Sequence, residues 1–299
     1  MTCPRTPAKV ATRERRRALA LALVASVAGW AACGQSGISW DDAEPAAGAA
    51  TPHGTRLTLD DTDHPRFASD SLALRGLPSM QGMCASSLRL IRGADQPDRV
   101  YAVWWAARSD SSAGLYASTS TNRGATWDAS QSVDSTDHST VGCSRPAPSV
   151  ATSDSLLHIA YAMKAPEGTG VFFAHSMDRG RMFHSPVPVA YGERLVATAI
   201  AAQGDDVVVA YEDPSGGAER IGVAASRTQG HIFELHGVAS SEQDDATSPR
   251  VALRGRTIAV AWRVRPPGEA GTGIGAAGTE GADADSTRGG WILRRGHLP

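Results

Sequence analysis

The sequence predicts an all-β chain assembled from one antiparallel unit repeated about every fifty residues. Two observations carry that expectation. Four segments (Leu88 to Trp105, Pro148 to Tyr161, Ala199 to Tyr211, Pro249 to Trp262) each join a short apolar strand to a stronger alternating one. Their closing aromatics stand 56, 50 and 51 residues apart. Runs rich in β-branched residues and divided by Gly, Ser or Asp are the pattern of antiparallel hairpins. The second observation is 31 Gly and 17 Pro in 299 residues, which favours many turns over long helices. With 41% hydrophobic and 20% charged residues the composition is globular, and wholesale disorder is excluded.

Taken in order from the N-terminus, the first region is an address. Arg5, Lys9, Arg13, Arg15, Arg16 and Arg17 precede an uncharged run of 12 residues, Ala18 to Gly29. As a helix that run would cover about 18 Å, short of the ~30 Å hydrocarbon core of a bilayer. A basic start, a short apolar stretch and small residues describe an export signal over residues 1–32. The segment Trp30-Ala31-Ala32-Cys33-Gly34 is similar to the bacterial lipobox, with Trp30 where an aliphatic residue is usual. That resemblance implies lipid attachment at Cys33 and a place in the cell envelope, on a membrane facing the periplasm or the exterior. Ordinary cleavage with Cys33 incidental is the alternative. Residues 33–54, rich in Ala, Gly, Pro and Ser, read as a flexible tether, and residues 55–299 as the folded domain. Without residues 1–32 the body carries 23 positive and 30 negative charges, about −7. It lacks the basic footprint of a nucleic-acid binder.

A second element follows the hairpins in phase. Ser120-Thr-Asn-Arg-Gly-Ala-Thr-Trp127, Ser176-Met-Asp-Arg-Gly-Arg-Met-Phe183 and Ser226-Arg-Thr-Gln-Gly-His-Ile-Phe233 place Gly124, Gly180 and Gly230 at intervals of 56 and 50 residues. Ser and Asn or Asp side chains bond the backbone of their own turn, Gly admits positive φ, and the final ring packs beneath.

These octapeptides resemble the Asp-box, or BNR repeat, of the sialidase-like β-propeller superfamily. The copies at 120–127 (Ser120, Asn122, Gly124, Trp127) and 176–183 (Ser176, Asp178, Gly180, Phe183) are close matches, and that at 226–233 is degenerate, with Thr228 for Asp. The resemblance spans residues 84–299. It implies a β-propeller of four-stranded antiparallel blades with the boxes between third and fourth strands. Four to five blades are visible, either as a smaller ring or as an incomplete six-bladed one. A β-sandwich with coincident spacing is the competing architecture. The fourth unit has no strand signal between Arg263 and Arg288 until Trp291-Ile-Leu, and Thr55 to Asp60 is the candidate strand for completing the last blade.

In this family the boxes lie on the face opposite the active site, so they read as scaffold. Candidates on the other face are Arg145 and Arg194, each just before an inner strand, as members of an anion clamp, and Glu212 beside Tyr211 as a polarising carboxylate. Guanidinium forks suit an anionic sugar, and a neutral phenol avoids the repulsion that a carboxylate nucleophile would meet. The chain departs from the family, however. Its Arg-Ile-Pro motif has only Arg75-Gly-Leu-Pro78 for comparison, and no Tyr follows Tyr211, which itself reads as core.

Of four cysteines, Cys3 leaves with the signal, Cys33 is the lipid candidate, and Cys84 and Cys143 each precede an inner strand of adjacent units. In an oxidising compartment these two read as a disulfide, with separate thiols the alternative. The nine histidines show no zinc spacing, Asp60 to His64 reads as a solvated turn, and no phosphate loop is present, so neither metal nor cofactor is expected. The expected function is a lipid-anchored, non-catalytic binding or assembly module for a glycan or envelope protein. The alternative is a divergent exo-sialidase or related glycoside hydrolase acting on terminal anionic sugars.

Overall fold

The computed structural model describes residues 37–46, 77–78, 80–217, 219–264 and 290–299, all within the compact unit Ser36–Pro299. The signal, Cys33, Thr55 to Asp60, Asp60 to His64, Arg75 and most of 263–288 lie outside the described residues. Those described form four antiparallel sheets of the propeller-blade type, three of them plain meanders and the fourth a three-stranded meander completed by strands from the N-terminal side. Blade I contains β3 (Arg89–Arg92), β4 (Val100–Ala107), β5 (Ala113–Ser120) and β6 (Gln131–Asp134). Blade II contains β7 (Ser149–Ser153), β8 (Leu156–Ala165), β9 (Gly168–Ser176) and β10 (Val187–Gly192). Blade III contains β11 (Thr198–Gln203), β12 (Asp206–Glu212), β13 (Ile221–Ser226) and β14 (Leu235–Val238). Blade IV is built from β15 (Ala246–Arg254), β16 (Thr257–Val264) and β17 (Trp291–His297), with β1 (Ser39–Trp40) as its outer strand and β2 (Glu44–Pro45) also on β17.

The four hairpins expected from sequence are thus the first two strands of each blade. Their closing aromatics Trp105, Tyr161, Tyr211 and Trp262 are all buried. Alternation then sorts each second strand between two neighbours. Tyr101, Val103 and Trp105 face blade II, meeting Leu157, Ile159 and Tyr161. Phe173 and Ala160 meet Val207 and Val209 between blades II and III. Val208 and Ala210 meet Ile258, Val260 and Trp262 between blades III and IV. First strands stand side by side, β3 by β7, β7 by β11 and β11 by β15, while β15 and β3 share no extended contact among the described residues. Among the described residues, successive first strands thus neighbour one another from blade I to blade IV. On the other side of β4, Ala102, Trp104 and Ala106 are covered by Leu77, Met80 and Met83.

The tether expected over 33–54 is corrected in part. Residues 37–46 join the last blade: Trp40 pairs with Gly296 and Ser39 with His297. Ile38 and Trp40 pack on the apolar layer between blades III and IV. A two-residue strand in an Ala- and Gly-rich segment leaves no periodicity to detect, and it closes the blade in the place assigned to Thr55 to Asp60.

The three octapeptide turns share one bonding scheme between the third and fourth strands. Ser120 Oγ accepts the Gly124 amide at 2.8 Å, Ser176 Oγ the Gly180 amide at 2.8 Å, and Ser226 Oγ the Gly230 amide at 3.1 Å. The second polar residue accepts an amide four positions on: Asn122 from Thr126, Asp178 from Met182, Thr228 from Ile232. Thr228 works here because its hydroxyl supplies the acceptor otherwise given by an amide or carboxylate oxygen. Gly230 has φ +90°, and a Cβ there would lie 2.1 Å from the Phe173 ring of the preceding blade. Positive φ and a close inter-blade approach both demand glycine.

Candidate functional site

First-to-second and third-to-fourth strand turns lie together on one face, as shown by Arg123 donating to the Asp98 carbonyl and Gln229 to that of Asp205. Second-to-third turns and inter-blade links share the other face, where Glu193 and Arg194 donate to the Pro214 carbonyl. The residues nominated for chemistry lie on this second face, in the links before β7 and β11 and at the end of β12.

Arg145 is buried. Its Nη1 donates to Asp137 at 2.9 Å, its Nε to the Gly142 carbonyl at 2.7 Å, and its guanidinium lies 4.8 Å from the Trp105 ring centre. Asp137 also accepts amides of Ala113, Ser139 and Lys164 and the Ser139 hydroxyl. This is a buried ionic node joining blade I, the link and blade II. Burial of a charge is tolerable only when it is paired, and the Asp137 carboxylate supplies that pairing although Arg145 Nη2 is buried without a partner. The nearby cysteines Cys84 and Cys143 are disulfide-bonded, with Cα atoms 5.3 Å apart.

Glu212 is a tie between blade III and blade IV: Oε2 accepts the Ala197 amide at 3.2 Å and Oε1 the Ser248 amide at 2.9 Å. Arg194 Nη2 donates to the Asp213 carbonyl at 3.0 Å, and Nη1 lies 3.6 Å from Glu219. Burial, then the neighbouring Asp213 charge, pushes the Tyr211 hydroxyl up to about 12, so its phenol stays neutral. Arg145, Arg194 and Glu212, expected as clamp and polarising groups, are each hydrogen-bonded to other parts of the chain, Arg145 buried and Arg194 with its side chain 41% exposed. Sequence shows the residue type at each link, whereas burial and partner are set by tertiary packing.

On the turn face the structure gathers residues that linear spacing does not. His175, the penultimate residue of β9, is buried; His184 follows the second octapeptide and His231 lies within the third, both exposed. The His175 ring centre lies 4.6 Å from that of His184 and 4.7 Å from that of His231. One ring nitrogen of each lies within 4.8 Å of the others. His231 Nδ1 sits 2.7 Å from the Thr228 carbonyl, which can only accept. Nδ1 therefore carries the proton and Nε2 keeps its lone pair. Burial first, then His184 and His231, hold His175 down to about 4. The signal for this cluster was the repeat itself: adjacent blades in phase bring successive turns together, so histidines about fifty residues apart become neighbours.

His158 lies behind the cluster, fully buried, bonded through Nε2 to Ser153 Oγ at 2.9 Å. Burial, then His175, lowers it to about 3. Its folded value is below its unfolded one, so the unfolded chain gains the proton first and stability is lost as pH falls from about 6.5 toward 3. Between pH 6.5 and 5.5 the wild type should lose roughly 1 kcal/mol more than His158→Gln, read from denaturant midpoints. Identical pH slopes for the two would refute a buried neutral His158.

No protein-family model matches the chain. No curated protein matches it either. Solved structures align in part. A Dyadobacter fermentans protein of unknown function aligns with TM-score 0.44 and 12% identity, over 71% of this chain and 54% of that one. A Hadza microbial sialidase aligns with TM-score 0.44 and 14% identity, over 60% of this chain and 42% of that one. Trypanosoma rangeli sialidase in complex with sialic acid aligns with TM-score 0.40 and 15% identity, over 60% and 34% respectively. The chain thus spans between 34% and 54% of the length of these three structures.

Proposed function

We propose that this chain is a sialidase-like propeller module of the bacterial cell envelope that binds a glycan-bearing partner without cleaving it. The observation that supports a non-catalytic role is the engagement of the nominated groups. Arg145 is buried against Asp137 and Trp105, and both carboxylate oxygens of Glu212 hold backbone amides. An anion clamp needs guanidinium donors directed at the ligand, and a nucleophile needs a base free to take its proton. The sialidase-like reading is supported by the Asp-box resemblance and by the common bonding of the three turns.

The test is turnover of 4-methylumbelliferyl sialoside by folded protein, alongside saturable binding to arrayed envelope glycans. The expected result is binding with no release of 4-methylumbelliferone above the protein-free rate. Release proportional to protein concentration would establish the divergent exo-sialidase instead. Attachment through acylated Cys33 is part of the same proposal: Cys33→Ser should move the chain from the membrane to the soluble fraction. An unchanged membrane fraction would remove the anchor.

A further inference from the structure

We propose that His175, His184 and His231 form a binding site for a divalent transition-metal ion, a site that ties blade II to blade III. His175 and His184 belong to blade II and its octapeptide turn, and His231 to the corresponding turn of blade III, so one ion would cross-link successive blades. The donor set decides the class of ion. Three imidazoles with no carboxylate among the clustered groups suit Zn²⁺, Co²⁺, Ni²⁺ or Cu²⁺, whereas Ca²⁺ and Mg²⁺ require oxygen ligands.

The geometry is near that of a site. Zinc–nitrogen bonds of about 2.0–2.1 Å place tetrahedral donors roughly 3.4 Å apart. The three nitrogens lie within 4.8 Å of one another. Rotating the exposed rings of His184 and His231 by movements on the order of 1 Å closes the difference without disturbing β9. Exposure of the same two rings gives a hydrated ion its entry path.

Two independent features point to a ligand. His175 Nε2 is buried and has no hydrogen-bond partner, a cost that an apolar residue would avoid in the same packing. His231 is held by its Nδ1–H bond to the Thr228 carbonyl, the outer bond that commonly orients a metal-binding imidazole and leaves its other nitrogen free. The carbonyl comes from the octapeptide turn itself, so the scaffold motif aims the ring. With three protein ligands, water completes the shell.

The experiment uses the full chain, purified without a polyhistidine tag and stripped with EDTA, titrated calorimetrically with ZnCl₂ and spectroscopically with CoCl₂. About one equivalent of Zn²⁺ should bind, and Co²⁺ should develop visible ligand-field bands. His184→Ala and His231→Ala, at exposed positions that leave the fold intact, should each weaken binding by about tenfold or more. The exposed His236, whose Nε2 donates to the Phe233 carbonyl, supplies the control, and His236→Ala should bind as the wild type does. Zinc should also raise the thermal midpoint of the wild type and not that of the double variant His184→Ala/His231→Ala. Equal zinc affinity in the wild type and the double variant would overturn the site, as would calcium displacing zinc at comparable concentration.

Discussion

Replacing Arg145 with methionine is expected to lower the unfolding free energy by about 3–5 kcal/mol, because it strands a carboxylate inside the protein. The side chains of Asp137 and Arg145 are 1% and 0% exposed, and their bond is 2.9 Å long. In the variant, Asp137 retains the amides of Ala113, Ser139 and Lys164 and the Ser139 hydroxyl, but none carries the opposite charge. The Trp105 ring also loses the cation on its face. Adding Asp137→Asn should change this loss by no more than about 1 kcal/mol, since it removes the buried charge but turns an NH2 toward a backbone amide that the second oxygen had accepted. Denaturant midpoints measured for the single and double variants check both statements. A loss below about 1 kcal/mol for Arg145→Met would show the guanidinium to be dispensable to the fold and would return it to the list of ligand-binding groups.

Removing the disulfide as Cys84→Ser with Cys143→Ser should cost about 4 kcal/mol by the loop-entropy relation, given its 59-residue sequence separation. The bond joins the approach to β3 with the link that enters blade II. That link carries the Gly142 carbonyl to which Arg145 Nε donates. The two perturbations therefore share a loop, and their combined loss should fall short of the sum. Thermal midpoints of the wild type with and without reductant, compared with the double serine variant, provide the measurement. Indistinguishable midpoints for oxidised and reduced wild type would contradict it.

The fold was legible where local pattern and burial coincide. Val100 to Trp105, Leu156 to Tyr161, Val207 to Tyr211 and Ile258 to Trp262 are second strands buried on both sides, so their apolar runs mark them directly. The turns were legible because Ser, Gly and an acceptor residue at fixed offsets satisfy their own backbone, needing no distant partner. Other features depend on distant partners. Ser39–Trp40 becomes a strand only because β17 offers an open edge. Arg145 read as a surface cation or clamp, since nothing beside it in the chain tells of Trp105 forty residues earlier. The histidine cluster has no short-range ligand spacing because its members come from two blades.

The pairing of Ser39 with His297 bears on how the chain reaches this fold. Blades I to III are closed by neighbours in sequence, so each can assemble while the polypeptide is still emerging. Blade IV cannot. Its outer strand, Ser39–Trp40, precedes blades I to III in the chain and its third strand, Trp291–His297, follows them, so the loop that must close between them contains all three. Until that closure, the edge of β17 and the apolar surface awaiting Ile38 and Trp40 stand open to other chains. Completion of blade IV is therefore the capture of an earlier segment by a later one, and until it happens an open edge and an apolar layer are available for aggregation.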